Sequence, residues 1–93
     1  APETRGKRGT GVNHDARMKA FLEHVVRALV AHPDQVNVHM LDGRRATRFE
    51  IGTPDEDRGQ VIGKDGMTIR AIRTLAAISG HRHRRRFEVE LPG

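Results

Sequence analysis

The sequence predicts an α+β fold in which a three-stranded sheet is packed on one face by three helices, and three observations predict it. Apolar residues recur at helical spacing from Met18 to Val30. Two alternating runs flank Asp42-Gly43, as the strands of a hairpin do. A loop bracketed by Gly63 and Gly66 then joins a short helical pattern to a longer one, ahead of a last alternating run. The order is helix, strand, strand, helix, helix, strand.

Each element has its own warrant. Met18, Phe21, Leu22, Val25, Val26, Leu29 and Val30 fall on one stripe of a helix, which Pro33 ends just after His32. Val36, Val38 and Met40 alternate, as do Thr47, Phe49 and Ile51, so each strand buries one face. Asp42-Gly43 supplies the positive φ angles of a tight hairpin turn. In "TPDE", Thr53 is the expected cap, Pro54 sits where a missing N–H is harmless, and Glu56 closes a capping box. That helix is short, because Gly59 weakens it and Gly63 stops it. A second helix runs from Gly66 through Ile69, Ile72, Leu75 and Ala76 to Gly80, and Phe87, Val89 and Leu91 alternate in a third strand.

Composition bounds the function. At 93 residues the chain makes one small domain with a modest core, too small for a deep, multi-lobed active site. The absence of cysteine excludes disulfides, zinc-thiolate sites and a thiol nucleophile. No apolar run reaches the roughly 20 residues of a membrane span, and no hydrophobic segment follows the charged N-terminus, so the expectation is a soluble cytoplasmic protein with no membrane contact. Residues 1–17 hold glycines and basic residues with almost nothing apolar, and read as a flexible basic tail ahead of a domain spanning 18–93. The net charge of +5 makes a polyanion a plausible partner. Arginines number 14 against 3 lysines, which suits bidentate phosphate contacts, although genomic base composition produces the same bias. The three aromatics, Phe21, Phe49 and Phe87, all occupy apolar positions of predicted elements and read as core, which argues against stacking bases on an exposed aromatic platform.

The loop "GKDG", Gly63 to Gly66, carries the functional signal. A nucleotide P-loop needs five positions from its first glycine to the Gly-Lys pair and then Ser or Thr; here Gly59 lies four before Gly63, and Asp65 follows Lys64. On the four residues alone a plain structural turn is the commoner explanation. The setting changes that: "VIGKDG" joins a capped short helix to a long amphipathic one, after a hairpin and before a strand. This resembles a KH domain, in which a Gly-x-x-Gly loop clamps about four single-stranded nucleotides. Glycines without Cβ let a sugar-phosphate chain lie against the backbone, the following helix turns its N–H groups to the phosphates, and Lys64 adds charge. The order of elements resembles the type II arrangement. From Met18 to Leu91, with "HP" closing the first helix, "G-x-V-I-G-K-x-G" and "I-R-A-I-R-T", the chain is similar to the small bacterial single-KH RNA-binding proteins of the KhpA type.

The resemblance implies a single-stranded RNA-binding protein, an RNA chaperone or post-transcriptional regulator, acting as a homodimer or with a larger KH-containing partner. It implies a clamp of Gly63, Lys64, Asp65 and Gly66 and an aliphatic groove floor drawn from Val61, Ile62, Ile69 and Ile72, with the second strand around Phe49 to Ile51. Asp65 departs from what phosphates favour; capping the following helix would turn it away. Arg70 and Arg73 share a helix face that could flank the nucleic acid. Arg82, Arg84, Arg85 and Arg86 lie at the far end of that helix and read as a solvated loop. Ala71, Leu75 and Ile78 widen its apolar arc beyond one core face, which predicts self-association through it. No catalytic residues, cofactor or small-molecule substrate are expected: Ser79 has no base in relation to it, and His81 and His83 lack a third ligand for a metal. The alternative is a KH-shaped protein-interaction module with weak or no RNA binding, which Asp65 keeps open.

Overall fold

The computed structural model of the protein describes residues 10–92. In chain order it has helix α1 (Thr10–Leu29), strands β1 (Asn37–Asp42) and β2 (Thr47–Gly52), helices α2 (Asp55–Ile62) and α3 (Met67–Arg82), and strand β3 (Phe87–Glu90). The predicted fold class and element order hold. β1 pairs antiparallel with β2, Val38 opposite Ile51 and Met40 opposite Phe49. β3 pairs parallel with β2, Phe87 opposite Thr47 and Val89 opposite Phe49, so β2 is central and α2 and α3 form the crossover. Val38, Phe49, Ile51, Phe87 and Val89 face the helices and are buried with Met18, Leu22, Val26, Val61, Ile69, Ile72 and Ala76. The alternate residues His39, Leu41, Arg48, Glu50, Glu88 and Glu90 lie on the uncovered face, none of them buried. Phe49 and Phe87 meet edge to face, 5.4 Å between centroids.

Several local expectations are corrected. The helix begins at Thr10, so residues 10–17 of the predicted flexible tail are helical; residues 1–9 lie outside the described residues. Asp15, three positions before Met18, lies on the buried stripe and is 4% exposed. Arg85 holds it: Nη2 donates to Oδ2 at 2.6 Å, and Nε lies 2.6 Å from Oδ1, too bent for a hydrogen bond but placed for an ion pair. The Thr47 hydroxyl donates to the same carboxylate at 3.3 Å. This ion pair therefore ties α1, at Asp15, to the sheet and to the connection between α3 and β3. Phe21, expected in the core, is 37% exposed.

The hairpin loop is residues 43–46, closed by the Gly43 N–H donating to Ala46 O at 2.9 Å, and Gly43 is not at positive φ. Glycine is required there for another reason: a Cβ would stand 2.9 Å from Ala46 O. At α2 no side chain caps the helix; the Thr53 hydroxyl is buried without a partner, and Pro54 O accepts from Asp57 N–H. Gly80 does not end α3, which runs on to Arg82. A Cβ at Gly80 would stand 2.8 Å from Arg85 O and 3.1 Å from Phe87 N, so this glycine lets β3 enter tightly against the helix.

Asp57, 2% exposed, ties α2 to the end of α1. Its carboxylate accepts from the backbone N–H of Ala31 (3.3 Å) and His32 (3.1 Å) and lies 3.0 Å from His32 Nδ1, while His32 Nε2 sits 3.2 Å from Glu56. The hydrogen bond that His32 Nδ1 donates to the Asp57 carboxylate holds the His32 pKa above 6.5 against the opposing effect of burial, with the Asp57 and Glu56 charges adding to it. Burial pushes the Asp57 carboxyl up, but the His32, Ala31 and His32 backbone hydrogen bonds outweigh it and leave it below 3.8. A raised histidine stabilises fully below its unfolded pKa and loses that contribution as pH rises through the folded value; the lowered carboxyl contributes above its unfolded pKa and fails as pH falls. The wild type's melting-temperature advantage over His32→Asn is thus expected to be largest below pH 6.5 and above pH 3.8, and to shrink at mildly alkaline pH. A difference that is flat with pH would show that the charged form of His32 plays no part.

Candidate nucleic-acid interface

α2 stops at Gly63, whose φ of 76° and ψ of 170° leave the helix, with its N–H donating to Gly59 O at 2.9 Å. Lys64–Gly66 form one 3-10 turn, closed by Gly66 N–H to Gly63 O at 3.1 Å. Asp65 (φ 56°, ψ 26°) and Gly66 (φ 72°, ψ 14°) are both left-handed, and α3 starts at Met67. The two glycines do different things. A Cβ on Gly63 would stand 2.6 Å from Thr68 Cβ and 2.9 Å from its backbone N, so Gly63 is required by the turn itself. Around Gly66 nothing lies within 4 Å, so the bare backbone there faces open space that a ligand can enter. Gly59 also faces open space, inside a helix where it costs about 1 kcal/mol relative to alanine.

Asp65 does not cap α3. Gly66 occupies the N-cap, no side chain completes it, and the helix end keeps an uncapped, partly positive face for an anion. The backbone gives the reason for an aspartate: at φ 56° Asp and Asn are the side chains best tolerated after glycine. Lys64 and Asp65 are both exposed.

The loop is braced from α3 by Arg70, whose Nη2 donates to Asp65 O at 2.8 Å. Arg73 turns to the sheet instead, Nε donating to Val89 O at 3.1 Å. On α2, Arg58 Nη1 donates to Leu91 O (3.2 Å) and Pro92 O (2.6 Å). In the parallel ladder Arg86 O accepts from Thr47 N–H, which by alternation leaves the carbonyls of Val89 and Leu91 on the outer edge. Arginines from both helices beside the loop thus reach the free edge of β3.

The expected groove floor is not presented to solvent. Val61, Phe49 and Ile51 are fully buried and Ile69 and Ile72 nearly so, because β2 is the central strand and the helices close over it. Of the predicted aliphatics only Ile62 is half-exposed, beside Gly63, Lys64, Asp65, Gly66, Arg70 and Arg73. Sequence reasoning passed over Arg58, which an isolated helix pattern could not connect to residues 91 and 92, and Met67, 62% exposed next to Gly66.

The family model for the KhpA/KhpB KH domain matches residues 19–91. A protein of Halalkalibacterium halodurans named RNA-binding protein KhpA is 35% identical over 74 residues, covering 80% of this chain and 97% of that protein. Proteins of the same name from Thermotoga maritima (45% identical over 58 residues, 62% of this chain and 77% of that one) and Mycobacterium tuberculosis (43% over 61 residues, 66% and 76%) are similar as well. No solved structure matches it. The order of elements, the Gly63–Gly66 loop and these likenesses agree: the chain belongs to the KhpA/KhpB KH-domain family.

Proposed function

We propose that the protein binds single-stranded RNA without catalysis, as a chaperone or post-transcriptional regulator. The relatives' name, RNA-binding protein KhpA, supports RNA as the ligand. The observation that carries the reading is the loop: a left-handed, side-chain-free backbone at Gly66 opening onto an uncapped helix end, with the exposed Lys64 beside it. Such a surface suits two or three phosphates, while the groove along α3 toward β3 receives the bases. Short single-stranded RNA and DNA oligonucleotides titrated at two salt concentrations test it. Affinity is expected to fall with salt at about 0.7 log units per log unit of salt for each phosphate neutralised. Binding that is absent, or indifferent to salt, overturns the reading. Among the described residues no helix is long and apolar enough to cross a membrane.

A second reading, compatible with the first, concerns self-association. Leu75 (51% exposed) and Ile78 (54%) lie on the outer side of α3, and Leu75 lines a shallow groove of about 520 Å³ with Met18 and Phe21 of α1. The stacked rings of His14 and His83, centroids 3.6 Å apart, border it; burial, then the His14, Arg82 and Arg17 charges, hold the His83 pKa below 6.5. Against that edge a second copy would bury exposed aliphatic surface without blocking the loop. Leu75→Glu is expected to give monomers in sedimentation where the wild type dimerises at micromolar concentration; a monomeric wild type rules the dimer out.

A further inference from the structure

At the end of α3 away from the Gly63–Gly66 loop, two connections meet. The β1–β2 loop and the segment joining α3 to β3 together line a depression of about 90 Å³ whose walls include Arg44, Arg45, Arg84, Arg85 and Arg86. The Thr47 N–H bonded to Arg86 O at 2.9 Å holds the two connections in register. Arg85 is already engaged by Asp15, and Arg86 Nε lies 3.5 Å from Glu88. Arg44, Arg45 and Arg84 are exposed and, among the described residues, have no ion-pair partner. The buried pair thus fixes the scaffold, and three guanidinium groups around it remain available.

Arg84 adds a second observation. It follows the α3 C-cap His83 with a φ of 59°, at the position where helices usually place glycine. That conformation is unfavourable for a residue with a Cβ and free for glycine. A guanidinium stands where the backbone would favour a residue without a side chain.

We infer that this arginine pole is a second phosphate-binding surface, which takes the backbone of a single-stranded RNA beyond the nucleotides at Gly63–Gly66; the inference rests on the RNA-binding reading above. The depression, about 90 Å³, is small and open, with room for a phosphate group among the guanidinium groups. No aromatic side chain lines it, so it offers no aromatic stacking platform, and its guanidinium groups suit phosphate oxygens. α3, with 16 residues at about 1.5 Å each, separates the two surfaces by roughly 24 Å. At about 3.4 Å per nucleotide for a fully stacked strand this is at most about seven nucleotides beyond the four or so in the clamp, and fewer for an extended strand, so a strand of about five does not reach both surfaces and one of about fifteen does.

The test measures binding of single-stranded RNAs of about 5 and about 15 nucleotides, on either side of that reach, to the wild type, Arg84→Gly, and the triple variant Arg44→Gln, Arg45→Gln, Arg84→Gly. The short RNA is expected to bind all three proteins alike. The long RNA should bind Arg84→Gly more weakly, and the triple variant should lose about 2 units of salt slope, at about 0.7 for each phosphate contact. Arg84→Gly should melt no lower than the wild type, because glycine suits φ 59°, so weaker binding cannot be ascribed to misfolding. Unchanged affinity and slope for the long RNA in the folded triple variant overturn the pole, as does an equal loss for short and long RNA. Competition by polyglutamate as strong as by the long RNA would also overturn it and point to an acidic protein. A wild type that holds neither RNA refutes the RNA-binding reading itself.

Discussion

Lys64→Asp is expected to abolish RNA binding while leaving the fold intact. Lys64 is exposed, its side chain joins no ion pair among the described residues, and it is not one of the left-handed positions. Substitutions at such surface positions usually change stability by no more than about 0.5 kcal/mol. At the ligand the effect is far larger. Two unit charges about 4 Å apart interact by about 4 kcal/mol at a surface-like dielectric, and the substitution turns attraction into repulsion beside the existing Asp65 carboxylate. Even after screening, a loss exceeding a hundredfold is expected. Titration with a short single-stranded RNA and a thermal melt of the same preparation decide it: a folded variant with wild-type affinity excludes the loop as the contact surface.

Arg85→Ala is expected to be the most destabilising charge deletion in the molecule. It strands the Asp15 carboxylate at 4% exposure, where among the described residues only the Thr47 hydroxyl remains to donate. Removing one partner of a buried ion pair costs about 3–5 kcal/mol, and the partial exposure of Arg85 places this nearer the lower end. For a small domain whose whole stability is about 5–15 kcal/mol, such a loss is readily measured by denaturant unfolding. Adding Asp15→Asn should restore part of it, since the stranded charge is then gone. If the single variant loses under about 0.5 kcal/mol, or the second substitution restores nothing, the pair is not what seats α1.

That pair also shows where sequence reading stopped. The apolar stripe from Met18 to Val30, the alternation in β2 and β3, and the glycine-bracketed loop follow from local periodicity and appear in the structure, whereas β1 buries Val38 alone and leaves Met40 38% exposed. The first turns of α1 were invisible because their anchor, Arg85, lies 70 positions away and nothing in "NHDAR" announces a buried acid. The groove floor was misplaced for a similar reason: alternation marks Phe49 and Ile51 as facing inward, but only the parallel pairing of β3 makes their strand central and buries them. Asp65 looked anomalous as a charge and becomes intelligible as a backbone requirement, which depends on a φ angle that the four letters "GKDG" do not contain.

The outer edge of β3 has a consequence for the protein in a crowded cell. Unpaired strand edges are templates on which another chain can add a strand, the first step toward swapped or fibrous assemblies. Here the outward carbonyls of Val89 and Leu91 are occupied by Arg73 and Arg58, so an incoming strand must first displace two cations and then lie beside them. Guarding the sheet against strand addition is thus a task that these two side chains already perform where they lie. Neutralising both is expected to make the protein more prone to aggregate as well as a weaker ligand for RNA.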